Sequence, residues 1–174
     1  MRENGKWHTR KFDGVPPFQV AARLAQAISH QPSFDDVIPK ELVASLGELA
    51  GHTLRPGSAR PQILVTPPQK EPWRIPENGW HVDLSASSSG RLPGIQVFVL
   101  LDDVAPHGGG TLALRGSHLS RGVTPDPERL VEMAGKAGDV YLMDMRTLHA
   151  PSINATRKAR IMLTSRFVDA ISIA

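Results

Sequence analysis

"GWHVDLS", residues 79–85, sets His81 and Asp83 two positions apart in a short segment of β-strand character. Side chains on a strand alternate between faces, so residues i and i+2 project the same way. An imidazole and a carboxylate therefore stand side by side, on the face that Trp80 and Val82 do not use. Such a pair is either half of a chelate or a chance juxtaposition, and only the rest of the chain separates the two.

Outward from this segment, the pattern of the chain is that of a β protein with a helical preface. "PQILVTPP", "GIQVFVLLDDV", "GTLALRGS", "GDVYLMDM" and "ARIMLTSRFV" are short, rich in β-branched or aromatic residues, and divided by Gly, Pro, Asp and Ser. Before them, residues 17–30 read as a helix with Phe18, Ala21, Leu24 and Ile28 on one stripe. A second helix is predicted to begin near Pro39, bury Leu42, Leu46 and Leu49, and stop at Gly51. "PERLVEMA" (127–134) reads as one further short helix. Many short strands after a helical preface predict an antiparallel β-sandwich or barrel with helices packed on one side. The division is one domain over 1–174, with a preface over 1–58 and a β core over 59–174, and "SASSSGRLPG" (85–94) as a loop beside the histidine–aspartate segment.

The composition suits this picture. A chain of 174 residues builds one full core. Cysteine is absent, which excludes disulfides, thiolate zinc sites and cysteine nucleophiles. No long apolar run and no signal-peptide core is present, so the expected location is the cytoplasm, with no membrane partner. The net charge of +3 is spread along the chain, with its tightest groups in "KWHTRK" (6–11) and "RKAR" (157–160). Aromatic residues make up only 5%, too few for a base-stacking surface, which argues against nucleic acid and for a small-molecule substrate. The oligomeric state is not legible.

A third candidate ligand strengthens the pair. "GDVYLMDMRTLHAP" (138–151) is a strand that ends on His149, just before a turn-forming proline. Two histidines and one carboxylate on one face leave three positions of an octahedral metal open, the facial arrangement of non-heme Fe(II) oxygenases. A zinc hydrolase uses similar ligands. Arg160 lies eleven residues after His149 on the next predicted strand, between apolar neighbours. Its planar fork suits bidentate pairing with a ligand carboxylate and keeps its charge when buried. Thr164, four residues on and on the same strand face, can add a hydroxyl to that carboxylate.

The order His81-x-Asp83, "GGGTLALRGSHL" (108–119), "GDVYLMD" with His149, and then Arg160 resembles the phytanoyl-CoA dioxygenase-like branch of the Fe(II)/2-oxoglutarate-dependent oxygenases. The resemblance spans about residues 60–168. It implies a double-stranded β-helix (a cupin-like jelly roll) flanked by helices. It also implies Fe(II) held by His81, Asp83 and His149, 2-oxoglutarate as cosubstrate with its distal carboxylate on Arg160, and O2 as oxidant. Polar residues near the cosubstrate in the family correspond here to Gln96 and Thr111. The expected reaction is hydroxylation of an unactivated carbon of a small secondary metabolite or amino-acid-like molecule, with release of succinate and CO2. Members of the family are usually longer at the N-terminus, so an open site, or one completed by a partner subunit or an ordered substrate, is expected. The substrate pocket is expected between the N-terminal helices, the 85–94 loop and the strand ends near Gln96 and Phe98.

Two rival readings remain. "RIMLTSR", from Arg160 to Arg166, echoes the paired-arginine strand of alkylation-repair dioxygenases, which act on nucleic acid, though the interval from His149 to Arg160 is shorter than theirs. A cupin-like metal-binding domain without turnover is the other. Several residues are assigned structural roles: His118 in the "RGSH" turn, the glycines of "HGGGT" (107–111), Asp102 and Asp103 at a solvated strand end, and Asn154 in the loop after His149.

Overall fold

A computed structural model describes residues 2–3, 6–7, 17–30, 37–58, 60–85, 90–120 and 122–170. The order of elements is β1 (Arg2–Glu3), β2 (Lys6–Trp7), α1 (Pro17–Ser29), α2 (Lys40–Ala50), β3 (Leu54–Pro56), β4 (Gln62–Thr66), β5 (Gly94–Leu100), β6 (Leu112–Leu114), β7 (Leu130–Glu132), β8 (Val140–Asp144), β9 (His149–Ala150) and β10 (Arg160–Asp169).

The organising strand is β10. It pairs antiparallel with β4 and β3 along one edge and with β5 along the other, and β8 continues the sheet beyond β5. A second, three-stranded antiparallel sheet runs β7-β6-β9. Phe98, Leu100, Met143 and Met162 of the large sheet pack with Met133 and Ala113 from the side of the small one, so the main core lies between two facing sheets. This is a jelly roll, mainly β, with helices outside it.

Alternation along β10 separates the two faces. Arg160, Met162, Thr164 and Arg166 take the inner set of positions, while Ile161, Leu163 and Phe167 join clusters on the outer face. There Leu163 and Ile63 pack under Ala25 of α1, and Phe167, Ile95 and Val97 pack under Leu46 of α2. Burying such outer-face side chains is the reason a twisted sheet needs helices beside it.

The helix faces differ from expectation in detail. On α1, Ala25 and Ser29 are buried, whereas Ile28 is 49% exposed. The Ser29 hydroxyl donates to the Ala25 carbonyl and accepts the Ile63 N–H, which satisfies it at the contact with β4. The side chains of Phe18, Ala21 and Leu24 lie outside the described residues. Helix α2 begins after Pro39 and ends at Gly51, whose φ of 70° closes the helix with N–H bonds from Gly51 and His52 to Glu48 and Gly47. Its buried face is centred on Leu46 and flanked by Leu42, Val43 and Ala50, so Leu49 is turned out to 64% exposure.

Two segments differ more. Residues 127–134 form no α-helix: a 3-10 turn over Pro127–Arg129 leads into β7, because Leu130–Glu132 are claimed as pairing partners of β6. "GWHVDLS" is not an extended strand either. It makes a single bridge, His81 to His149, and then the Asp83 and Leu84 N–H groups both turn onto the Met145 carbonyl. Strands β3 and β9 were too short to show in the hydrophobic pattern, and β3 joins the large sheet from within the preface. Among the described residues, no helix is long and apolar enough to cross a membrane.

Candidate metal centre and cosubstrate pocket

His149 opens β9, and its backbone exchanges two hydrogen bonds with His81, at 2.9 and 3.0 Å. That bridge brings the two imidazoles to a centroid separation of 4.2 Å. Each ring has one nitrogen already committed: Nδ1 of His81 lies 2.8 Å from the Gly79 carbonyl and Nδ1 of His149 lies 2.9 Å from the Thr147 carbonyl. A carbonyl only accepts, so both Nδ1 atoms carry the proton and both Nε2 lone pairs are left for a cation. Asp83 completes the group, with Oδ1 4.0 Å from His81 Nε2 and Oδ2 3.8 Å from His149 Nε2. The ligand atoms of the three residues lie within 4.8 Å of one another.

Burial, with His81 alongside, holds the His149 imidazole below the usual histidine range, which favours the neutral form a metal needs. The centre is graded in exposure: the His81 side chain is 51% exposed, and those of Asp83 and His149 are 10% and 6%. It is open on the His81 side.

Arg160 is 4% exposed and starts β10. Its guanidinium donates to the Gly109 carbonyl at 2.8 Å, the Leu64 carbonyl at 3.2 Å and the Thr66 hydroxyl at 2.5 Å. All three partners are neutral. Burial pushes its pKa down to about 10, still well above neutrality, so the side chain is a buried cation. Among the described residues no carboxylate pairs with it. A buried charge without a counter-ion is costly, and an incoming carboxylate relieves that cost. Thr164 and Gln96 are 3% exposed, and Gln96 Nε2 donates to Thr164 Oγ1 at 3.0 Å. The threonine hydroxyl keeps its own proton to donate, and Gln96 Oε1 is buried without a partner among the described residues. Thr111, 6% exposed, follows the glycine run.

These residues share one cavity of about 730 Å³. His81, His149, Arg160, Thr164, Gln96 and Thr111 all line it, and so do Ala22, Gln26 and His30 from α1, together with Arg60. Helix α2 contributes no lining residue. Residues 86–89 of the expected loop wall lie outside the described residues. Sequence reasoning named Arg166 only within the rival paired-arginine reading and gave it no part in the metal site, yet it lines the cavity and donates to Asp83. The signal was present: Arg166 is six residues from Arg160, an even number, and so on the same strand face.

The residues set aside as structural are placed elsewhere. His118 sits in a 3-10 turn away from the triad. Asp102 and Asp103 pair with Lys158 and Lys136. Asn154 is fully buried and holds its loop through the Thr66 and Lys158 carbonyls and Thr156.

A family model described as phytanoyl-CoA dioxygenase matches residues 13–162. No curated protein matches the chain. Among solved structures, AviO1 from Streptomyces viridochromogenes Tue57 is 22% identical with a TM-score of 0.63, over 82% of this chain and 65% of that one. The non-heme alpha ketoglutarate dependent epimerase SnoN from nogalamycin biosynthesis is 25% identical with a TM-score of 0.56, over 74% of this chain and 54% of its own. The non-heme alpha ketoglutarate dependent carbocyclase SnoK, from the same biosynthesis, is 22% identical with a TM-score of 0.63, over 84% and 63%. The chain thus spans less than two thirds of the length of each.

Proposed function

We propose, from the premise that this chain belongs to the phytanoyl-CoA dioxygenase family, that it is an Fe(II)/2-oxoglutarate-dependent oxygenase that hydroxylates an unactivated carbon of a small organic substrate. The observation that carries this reading is the juxtaposition of two unlike binding elements along one cavity: the histidines of a His–Asp–His cation site, and a buried arginine that has no carboxylate partner among the described residues. The cation site alone would also suit a zinc hydrolase, and the buried arginine beside it is what suits a dicarboxylate cosubstrate. The names of SnoN and SnoK, both alpha ketoglutarate dependent, and of an SnoN complex with Fe3+ and alpha ketoglutarate lend support.

The donor set fits the group. Two neutral imidazole Nε2 atoms and one carboxylate suit Fe(II) and leave positions for a chelating cosubstrate. When bound, iron with 2-oxoglutarate and O2 supplies the oxidising power, giving succinate, CO2 and one oxygen atom for the substrate carbon. Every other task falls to the chain. Arg160 pairs with the distal carboxylate, and the Thr164 hydroxyl donates to the same group. Gln96 and Thr111 shape the wall beside it. With a metal bound, Asp83 would be the ligand where a halide would otherwise have to bind, which favours hydroxylation over halogenation. Helix α1 and Arg60 face the substrate, and 730 Å³ is within the range of small-molecule sites.

The test is succinate release from purified protein supplied with Fe(II), 2-oxoglutarate and a metabolite pool, alongside a search for a product heavier by one oxygen. Release that needs both iron and 2-oxoglutarate, and that His149→Ala abolishes, supports the reading; release indifferent to His149 removes it.

A further inference from the structure

Asp83 faces more than the two imidazoles. The Arg166 guanidinium also meets it, with Nη2 3.2 Å from Oδ1 and Nε 3.5 Å from Oδ2. Each carboxylate oxygen is therefore shared between a histidine and one arm of the arginine fork. The side chains of Asp83 and Arg166 are 10% and 32% exposed, so solvent competes only in part.

The two partners differ in how firmly they are held. Arg166 sits within β10, paired through its position with Gln96 of β5, and its carbonyl accepts the Gly57 N–H at 2.9 Å. Asp83 follows a single-bridge segment and is tied by N–H bonds to one carbonyl, that of Met145. The arginine thus anchors, to the central strand of the fold, the segment that supplies two of the three ligands. The same strand carries Arg160.

We infer that Arg166 is the positioning residue of the metal centre: its fork holds the Asp83 carboxylate within reach of both imidazoles. An uncommitted carboxylate presents one or both oxygens to a cation. A fork engaging both oxygens limits that freedom and fixes the orientation in which the carboxylate meets the cation site. This inference rests on reading the triad as a metal centre.

Two effects of the guanidinium oppose each other, and the experiment separates them. Its charge repels a cation, so removing it would tighten metal binding if charge were all that mattered. Its geometry pre-organises the ligand, and outer partners of metal ligands are worth about 10–100-fold in affinity. Geometry wins here, because the charge is partly screened at 32% exposure while the fork meets both oxygens.

Co(II) titration of wild type, Arg166→Gln, Arg166→Lys, Asp83→Asn, the Arg166→Gln/Asp83→Asn double variant and His149→Ala is the test, followed by the visible spectrum at saturation. Wild-type binding that His149→Ala abolishes is expected; its failure overturns the metal centre and this inference together. Given that binding, Gln and Lys at 166 are each expected to lower Co(II) affinity about tenfold or more. The cobalt spectrum of the saturated variants should shift, which a merely structural residue would not cause. In the Asp83→Asn background the Arg166→Gln change should cost nothing further. Unchanged or tighter binding in Arg166→Gln, a Lys variant equal to wild type, or the same loss with and without Asp83 overturns the Arg166 role alone.

Discussion

Arg160 Nε donates to the carbonyl of Gly109 at 2.8 Å, so the glycine-rich turn is a socket for the arginine. Gly109 has a φ of 84°, and a Cβ there would lie 2.8 Å from Asn154 Cβ and 2.9 Å from Thr66 Cγ2. Thr66 is itself a partner of Arg160. The run "HGGGT" is thereby explained by close approach rather than by phosphate binding.

Gly109→Ala should therefore damage stability and cosubstrate binding together. The left-handed backbone alone costs about 1–2 kcal/mol for an L side chain, and the steric conflict falls on the Arg160 socket. A lower Tm and a weaker 2-oxoglutarate affinity, with Co(II) affinity retained, are the expected results of thermal melting and calorimetry.

Arg160→Lys keeps the charge and loses the fork that reaches Gly109, Leu64 and Thr66. The affinity of the metal-loaded protein for 2-oxoglutarate should fall at least about tenfold, or roughly 1.4 kcal/mol, while metal binding stays near wild type. Isothermal titration of both ligands checks this, and an unchanged 2-oxoglutarate affinity would contradict it.

The fold was legible wherever a strand was long enough to show alternation. Residues 94–100 and 160–169 declared themselves, and they are the central strands of the large sheet. Strands of two or three residues, such as β9 and β3, carry no periodicity, and their pairing is set by partners distant in sequence. Leu130–Glu132 shows the same competition, since a locally helical pattern yielded to pairing with β6. At the site, side-chain chemistry pointed to His81, Asp83, His149 and Arg160, and the structure brings all four to one cavity or its rim. Arg166 was marked only by its echo of a paired-arginine strand, because the carboxylate it meets, Asp83, is distant in sequence.

The metal-free protein should lose stability as pH falls. Burial lowers the His149 pKa, so the folded state resists a proton that the unfolded chain takes near pH 6.5. The unfolded state then binds more protons, and by linkage stability is full above about pH 6.5 and declines as pH drops through the folded value. Urea unfolding between pH 8 and 5 measures the slope, which His149→Gln should flatten.

The face of α2 offers a test of packing. Leu46 is fully buried, and Leu46→Ala should cost about 2–5 kcal/mol. Leu49, at 64% exposure, should tolerate alanine within about 0.5 kcal/mol. Equal losses in urea unfolding would mean the helix presents a different stripe to the sheet.

Whether the triad and Arg160 act as one site is decided by anaerobic calorimetry of 2-oxoglutarate binding with and without Fe(II). A single site predicts binding that requires Fe(II), that disappears in His81→Ala, Asp83→Ala and His149→Ala, and that persists in His118→Ala. Binding of 2-oxoglutarate that is equally tight without metal, or that survives loss of His149, would contradict it.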